Sequence, residues 1–225
     1  MAGAILKPFS AFTGVAVPML LDNIDTDAII PSREITMVSK TGLAAGLFAN
    51  RRYLEAERRI PDPGFVLNDA RYRGAQILLA GINFGCGSSR EHAVWALAEY
   101  GFRALLAPSF NPIFHRNCLS NGVLPARLGA GAIGEIAAWV AENPPLNRIS
   151  IDLNARVIAA LNGRNFAFDL ADEARDALLA GADAIEITLR KQASILTYIA
   201  ADRCRRPWVY ECGTDKDGSS SSQPE

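Results

Sequence analysis

Residues 75–107 read AQILLAGINFGCGSSREHAVWALAEYGFRALLA, and this stretch decides the fold class. Ala75 to Ala80 is an apolar run of strand length, broken only by Gln76, as expected for a buried strand. Gly81 to Ser89 is a glycine-rich turn. Arg90 to Tyr100 is rich in alanine and predicts a helix, with Gly101 as its C-terminal stop. Arg103 to Ala107 is a second apolar run. Strand, turn, helix and strand at this spacing make a βαβ unit with parallel strands and a right-handed crossover.

Upstream of this unit, Gly14 to Leu21 is apolar and predicts a strand, followed by a polar turn at Asp22 to Asp27. A short apolar exit, Ala28 to Pro31, is closed by proline. Leu43 to Arg59 has helical character, with Leu43, Leu47 and Leu54 on one face, and Pro61, Pro63 and Gly64 end it. Downstream, a helix is expected over Pro112 to Ser120, stopped by Gly122. Ile149 to Leu153 and Arg156 to Leu161 alternate like strands, and Asn162-Gly163 signals a hairpin into Asn165 to Leu170. Ala171 to Leu179 and Ile185 to Ala201 read as helices. Hairpins beside a βαβ core define an α/β domain and not a plain doubly wound sheet. One domain is expected over 1–212. The remaining 213–225 carries no large apolar residue and reads as a disordered tail.

Composition narrows the function classes. With 49% hydrophobic residues the chain can bury a core, and a net charge of -1 without any Lys/Arg block provides no footprint for nucleic acid. Runs such as Ile77 to Ile82 are far too short to span a membrane. Met1 to Phe9 lacks the apolar core and cleavage site of a signal peptide, so a cytoplasmic protein is expected. The four cysteines, Cys86, Cys118, Cys204 and Cys212, are scattered with no C-x-x-C pair. Reduced thiols follow, and a metal cluster bound by this chain alone is not expected.

The densest chemistry lies in Asn83 to Ala93. Its glycines permit a sharp turn and a close approach to a ligand. The serines fall where a helix begins, so free backbone N–H groups and the positive dipole end favour an anion there. Arg90 adds a planar fork that matches a carboxylate. A serine so placed suits an alkoxide. Ser88-Ser89-Arg90-Glu91 also fits the capping box S-x-x-E, a helix-start device that needs no function. The two readings are compatible. A thiol nucleophile formed by Cys86 with His92 is weaker, because the two are separated by a turn and a helix start. Gly85-x-Gly87-x-x-Arg90 lacks the third glycine of a dinucleotide fingerprint, and no P-loop lysine is present. Asp22-Asn23-Ile24-Asp25-Thr26-Asp27 is acidic enough to suggest a metal loop. An EF-hand requires Gly at the sixth position, where Asp27 stands. A solvated turn, or a carboxylate aimed at a substrate or cation, remains, and Arg33 just beyond Pro31 is a candidate anion clamp. His115 and Asn117, on the Pro112 to Ser120 helix, read as packing or capping residues.

Taken in order, these segments resemble the family of 3-isopropylmalate dehydratase small subunits and, more distantly, the last domain of aconitase. The segments are Asn23 to Pro31, Phe65-Val66-Leu67-Asn68, Asn83 to Ala93, Tyr100 to Arg103, Ala107 to Phe110 and Asn117 to Pro125. The likeness runs from about Phe9 to Val209. It implies a swivelling β/β/α domain with a large-subunit partner, in a heterodimer or higher assembly. It places a [4Fe–4S] cluster on that partner, so no metal site is assigned to this chain. The implied reaction moves a hydroxyl between adjacent carbons of a malate derivative through an alkene diacid, the partner's iron acting as Lewis acid on the departing hydroxyl. By position in the motif, Ser88 would be the base that removes the C–H proton. Ser89 and Arg90 would bind a substrate carboxylate, and Asp27 matches an active-site aspartate. Arg33, from its place in the sequence, is added as a second carboxylate clamp. Ser32-Arg33 stands where the family usually has Lys-Gln, Asn50-Arg51 where it usually has Asp-Trp, and Ile82 where Asp is common. The first two lie near the stretch that would discriminate substrates. Other readings are a hydro-lyase for another alkylmalate or homoaconitate, and a carboxylate-binding module without catalysis.

Overall fold

A computed structural model describes residues 8–9, 11–35, 40–88, 90–182 and 184–210. Ser89, Met37, Val38 and the proposed tail 213–225 lie outside the described residues. The chain divides into two compact units, Met1–Ala184 and Ile185–Glu225.

In the first unit the strands and helices follow in this order: β1 Phe12–Gly14, β2 Ala16–Met19, α1 Thr26–Ile29, α2 Ala49–Arg52, β3 Tyr53–Glu55 and β4 Ile60–Pro61. Next come β5 Ile77–Ala80, α3 Glu91–Tyr100, β6 Ala104–Ala107, α4 Pro112–Ser120, β7 Leu124–Arg127 and α5 Ala130–Glu142. The unit closes with β8 Ile149–Asp152, β9 Val157–Ala160, β10 Arg164–Ala167 and α6 Asp172–Ala180. α7 Ala184–Arg190 spans the division, and α8 Gln192–Arg205 belongs to the second unit.

Two sheets result. One is parallel, in the order β2-β5-β6-β7, and the other antiparallel, in the order β1-β8-β9-β10. The expected βαβ unit is β5-α3-β6, with Ile77, Leu78 and Leu79 registered against Ala104, Leu105 and Leu106. Every residue of both strands is fully buried, which is why neither run alternates in the sequence. α5 packs across β2, β5 and β6. The antiparallel sheet depends on the predicted hairpin. Leu161, Asn162 and Gly163 all take positive φ between β9 and β10, which Asn and Gly tolerate best.

Four expectations are corrected. Gly14 to Leu21 is two strands in different sheets, because the chain steps from the antiparallel to the parallel sheet at Val15. Leu43 to Arg59 is not one helix. Phe48, fully buried in the left-handed region at φ 52°, restarts the chain, and a β3-β4 hairpin follows α2. Tertiary burial of Leu43, Leu47 and Phe48 overrides the helical spacing. Ile185 to Ala201 is interrupted at Lys191. β7 and α5 are additional elements. α5 is uncapped by any side chain and begins with Ala-Gly-Ala, so it lacks a start signal. Among the described residues no helix is long and apolar enough to cross a membrane.

Because β5 is covered on both sides and both faces, shortening one of its side chains leaves a void that the neighbours cannot fill. Leu79→Ala is expected to lower stability by about 2–5 kcal/mol with an unchanged denaturant slope, read by urea unfolding.

Candidate active site

The C-terminal ends of β2, β5 and β6 open into three loops, and the loops stay bonded to one another as the strands are. Gly85 N–H donates to the Ile24 carbonyl at 2.7 Å and Thr26 N–H to the Cys86 carbonyl at 3.0 Å. On the other side, Phe84 N–H donates to Ser109 at 3.1 Å and Asn111 N–H to Phe84 at 3.1 Å. The turn alternates accordingly. Phe84 and Cys86 bridge to Phe110 and Asp25, while Asn83, Gly85 and Gly87 take φ of 56°, 76° and 85°. Glycine is required at Gly85 for a second reason, since a Cβ there would stand 2.1 Å from the Phe114 ring.

The acidic run at 22–27 has a separate task for each carboxylate. Asp22 accepts from Ile82 N–H at 2.7 Å. Asp25 caps α1 by accepting from Ala28 N–H at 2.6 Å. Asp27 pairs with Arg90, Oδ1 to Nη1 at 2.7 Å. Arg90 also donates to Ser32 Oγ at 2.6 Å, so Asp27, Ser32 and Arg90 converge. Arg33 donates to Asn50 Oδ1 and lies 3.6 Å from Glu34. Its guanidinium is thus engaged, at the edge of a cleft of about 470 Å³ lined by Asp25, Asp27, Ala28, Asn50 and Arg51. A larger cavity of about 720 Å³, between His115, Arg127 and residues 167–171, holds none of the motif's residues. Converging charged groups define the site better than volume does.

Ser88 is exposed in the turn, and among the described residues its hydroxyl has no hydrogen-bond partner. The capping box is not formed. Arg90 is the N-cap of α3, no side chain caps it, and Glu91 instead accepts from Asn121 at 2.7 Å. Ser88 is therefore two residues ahead of the cap and not tied up in it. His92 packs edge-on against Trp95 at 4.7 Å and His115 against Phe110 at 6.0 Å. Burial, with help from Arg127, pushes the His115 pKa down.

Two residues to which the sequence assigned no role, Asn68 and Glu99, brace the segments around this cleft. Asn68 donates to the Arg52 carbonyl at 2.6 Å and the Asp62 carbonyl at 2.8 Å, which fixes the end of α2. Glu99, on α3, accepts from Gly42, Leu43 and Ala44 N–H groups at 2.6, 2.6 and 2.8 Å. With Arg90 holding Ser32 and Trp95 under Lys40 at 5.0 Å, α3 anchors the chain at residues 32, 40 and 42–44. Glu99's place two residues before Gly101 offered no signal, because exposed glutamates are common on helices.

Among the described residues no group of three or more His, Cys, Asp or Glu side chains can hold a metal ion. Cys86, Cys118 and Cys204 are free thiols on separate elements, and burial pushes the Cys118 thiol well up. These residues do not fit an iron–sulfur cluster, which takes several thiolates at one place.

An arginine paired with an aspartate, beside a serine in a glycine turn at the C-terminal end of a parallel sheet, defines an aconitase-type swivelling domain. The profile of the aconitase C-terminal domain matches residues 6–131, a range that contains every residue of the cleft. The 3-isopropylmalate dehydratase small subunit of Cupriavidus necator is 51% identical over 205 residues, 91% of this chain and 99% of that protein. The protein of the same name from Rhodospirillum centenum is 44% identical over 204 residues, with 91% and 99% covered. A crystal structure of 3-isopropylmalate dehydratase from Methanocaldococcus jannaschii superposes with a TM-score of 0.60 at 28% identity, covering 83% of this chain and 99% of that one. The chain belongs to the family of 3-isopropylmalate dehydratase small subunits, within the aconitase C-terminal domain family.

The Glu99 tether is sensitive to acid. Burial works against its charge, but the N–H groups of Gly42, Ala44 and Leu43 together hold its carboxyl below the ordinary glutamate range. A depressed pKa stabilises the fold above the unfolded value, and that contribution is lost as pH falls through the folded one. Hydrogen-exchange protection of the Gly42, Leu43 and Ala44 amides is expected to fall as pH drops below about 4.3. Glu99→Gln is expected to lower that protection at neutral pH and flatten its acid response.

Proposed function

We propose that this chain is one half of the active site of an isopropylmalate-isomerising hydro-lyase of leucine biosynthesis, working in the cytoplasm with a large-subunit partner. The observation that carries the reading is the convergence of Arg90, Asp27 and Ser32 beside an uncommitted Ser88 at the start of α3. Small-subunit relatives imply a large subunit, and membership of the aconitase family implies an iron–sulfur cluster in the enzyme. The cluster is proposed to sit on the large subunit, since the described residues of this chain offer no ligand set for it.

In this reading Arg90 receives one substrate carboxylate. Asp27 and Ser32 hold its guanidinium in place beforehand, so little side-chain entropy is lost on binding. Ser89 is proposed to contribute to the same carboxylate. Ser88 Oγ, in anionic form, takes the proton from the carbon next to a carboxylate. The dipole of α3 and the charge of Arg90 favour that anion. The hydroxyl leaves the neighbouring carbon, giving the alkene diacid, and proton and hydroxyl then return to exchanged carbons. Arg33 is proposed as the second carboxylate anchor. It must exchange Asn50 for the substrate, whereas Arg51 lines the same cleft.

A second reading, a hydro-lyase for another alkylmalate, is favoured by one observation. Arg33 and Asn50, which both depart from the usual family residues, bond to each other, so the departures form one altered wall of the cleft. Reconstitution with the large subunit and kcat/KM for isopropylmalate against methylmalate decides between the two. Isopropylmalate is expected to be preferred, and a tenfold preference for the smaller malate replaces the first reading with the second.

Ser88→Ala is expected to reduce turnover of the complex by about 10²–10⁴-fold, the usual range for a lost general base. Thermal stability and partner affinity are expected to be retained, because Ser88 caps nothing. Near-normal turnover in a folded complex removes Ser88 from the proton transfer. Arg33→Ala is expected to raise KM for every diacid tested.

A further inference from the structure

We infer that Leu20, Leu21, Ile82 and Ile113 form the apolar centre of the surface on which the large subunit docks. The inference rests on the function proposed above and adds the place of contact. The four side chains are exposed by 45%, 39%, 48% and 47%. Single exposed apolar residues are ordinary on any protein; these are not single. Leu20 and Leu21 continue β2 and Ile82 follows β5, two strands that pair in register up to Met19 and Ala80. Beyond the sheet, Asn23 N–H donates to the Ile82 carbonyl at 2.8 Å and Asp22 accepts from Ile82 N–H at 2.7 Å. The two turns are in contact, since a Cβ on Gly81 would stand 2.5 Å from the Leu21 carbonyl oxygen. Ile113 is in the first turn of α4, which follows the next loop, whose Ser109 and Asn111 bond to Phe84.

These residues are held rigidly, by backbone bonds, at the same sheet end that carries Asp27, Ser88 and Arg90. An apolar group fixed in this way loses little freedom on binding and gains by leaving water. Interfaces place such groups at their centre with a polar rim around them. The occupant follows from the site. The cleft is open, the described residues of this chain bring no group of three or more His, Cys, Asp or Glu to it, and the relatives are named as small subunits. A large subunit that completes the cleft must cover the adjoining loops, and the loops after β2, β5 and β6 are those.

The test uses the full chain and the purified large subunit of the same organism, with affinity measured by calorimetry and assembly by sedimentation. Leu20→Asp and Ile113→Asp are each expected to weaken the complex at least tenfold. Ile113 is the second residue of α4, where a carboxylate suits the helix dipole, so that variant keeps its fold, checked by its melting temperature. Leu146→Asp, at a residue 75% exposed beyond the far end of α5, is expected to leave affinity unchanged. Undiminished affinity in folded Ile113→Asp and Leu20→Asp overturns the inference. So does loss of a homodimer with large-subunit binding intact, which assigns the patch to a second copy. If the wild-type complex forms and turns over substrate in either case, the proposed function stands. A wild-type chain that binds no large subunit overturns both.

Discussion

Parallel strand pairing that continues past the ends of the strands is the constraint on which the site depends. β2, β5 and β6 stop as regular strands at Met19, Ala80 and Ala107, yet the loops beyond them stay joined through the Gly85 to Ile24 and Phe84 to Ser109 bonds. A turn that must pair alternately with neighbours on two sides needs every other residue out of the extended region. Asn83, Gly85 and Gly87 supply those positions, being the residue types that enter positive φ at least cost. The rigidity of the buried sheet is thereby carried to Ser88 and Arg90, which would otherwise belong to a free loop.

Electrostatics then divides the acidic run. Asp22 and Asp25 satisfy backbone donors, so they brace the loops, and Asp27 is the carboxylate that faces a cation. The Asp27–Arg90 pair is partly exposed, and such pairs add little to stability. Its effect is on orientation: Asp27 and Ser32 together hold the Arg90 guanidinium in one place. The same helix that starts at this point holds residues 42–44 through Glu99 near its other end. α3 therefore links the turn to the wall of the cleft. Asn68 serves the opposite wall by holding the end of α2.

The described residues form an arrangement incomplete by itself for the family's chemistry. They bring Asp27, paired with an Arg90 that also holds Ser32, to an open cleft, and offer no group of three or more His, Cys, Asp or Glu side chains that could hold a metal ion. Under the proposed function the active site is divided between two chains, and activity would then depend on their assembly.

The sequence by itself determined the β5-α3-β6 unit, the α4 helix and the β9-β10 hairpin. In each, local signals and burial agree: unbroken apolar runs for strands buried on both faces, Asn111-Pro112 at a helix start, and Asn162-Gly163 at a turn. It also named Ser88, Arg90, Asp27 and Arg33 as candidates, of which the fold brings Asp27 and Arg90 together and sets Arg33 on Asn50. Tertiary structure alone decided the rest. Leu43 to Arg59 has helical spacing, but Leu43, Leu47 and Phe48 gain more by entering the core than a helix would gain from its own hydrogen bonds. Ser88-x-x-Glu91 has the pattern of a capping box, but Asn121 on a neighbouring helix takes the glutamate. Arg33 meets Asn50 and Glu99 meets Gly42 only because the fold brings distant segments together. Spacing along a chain encodes contacts within one element, and contacts between elements are set by how the buried faces pack.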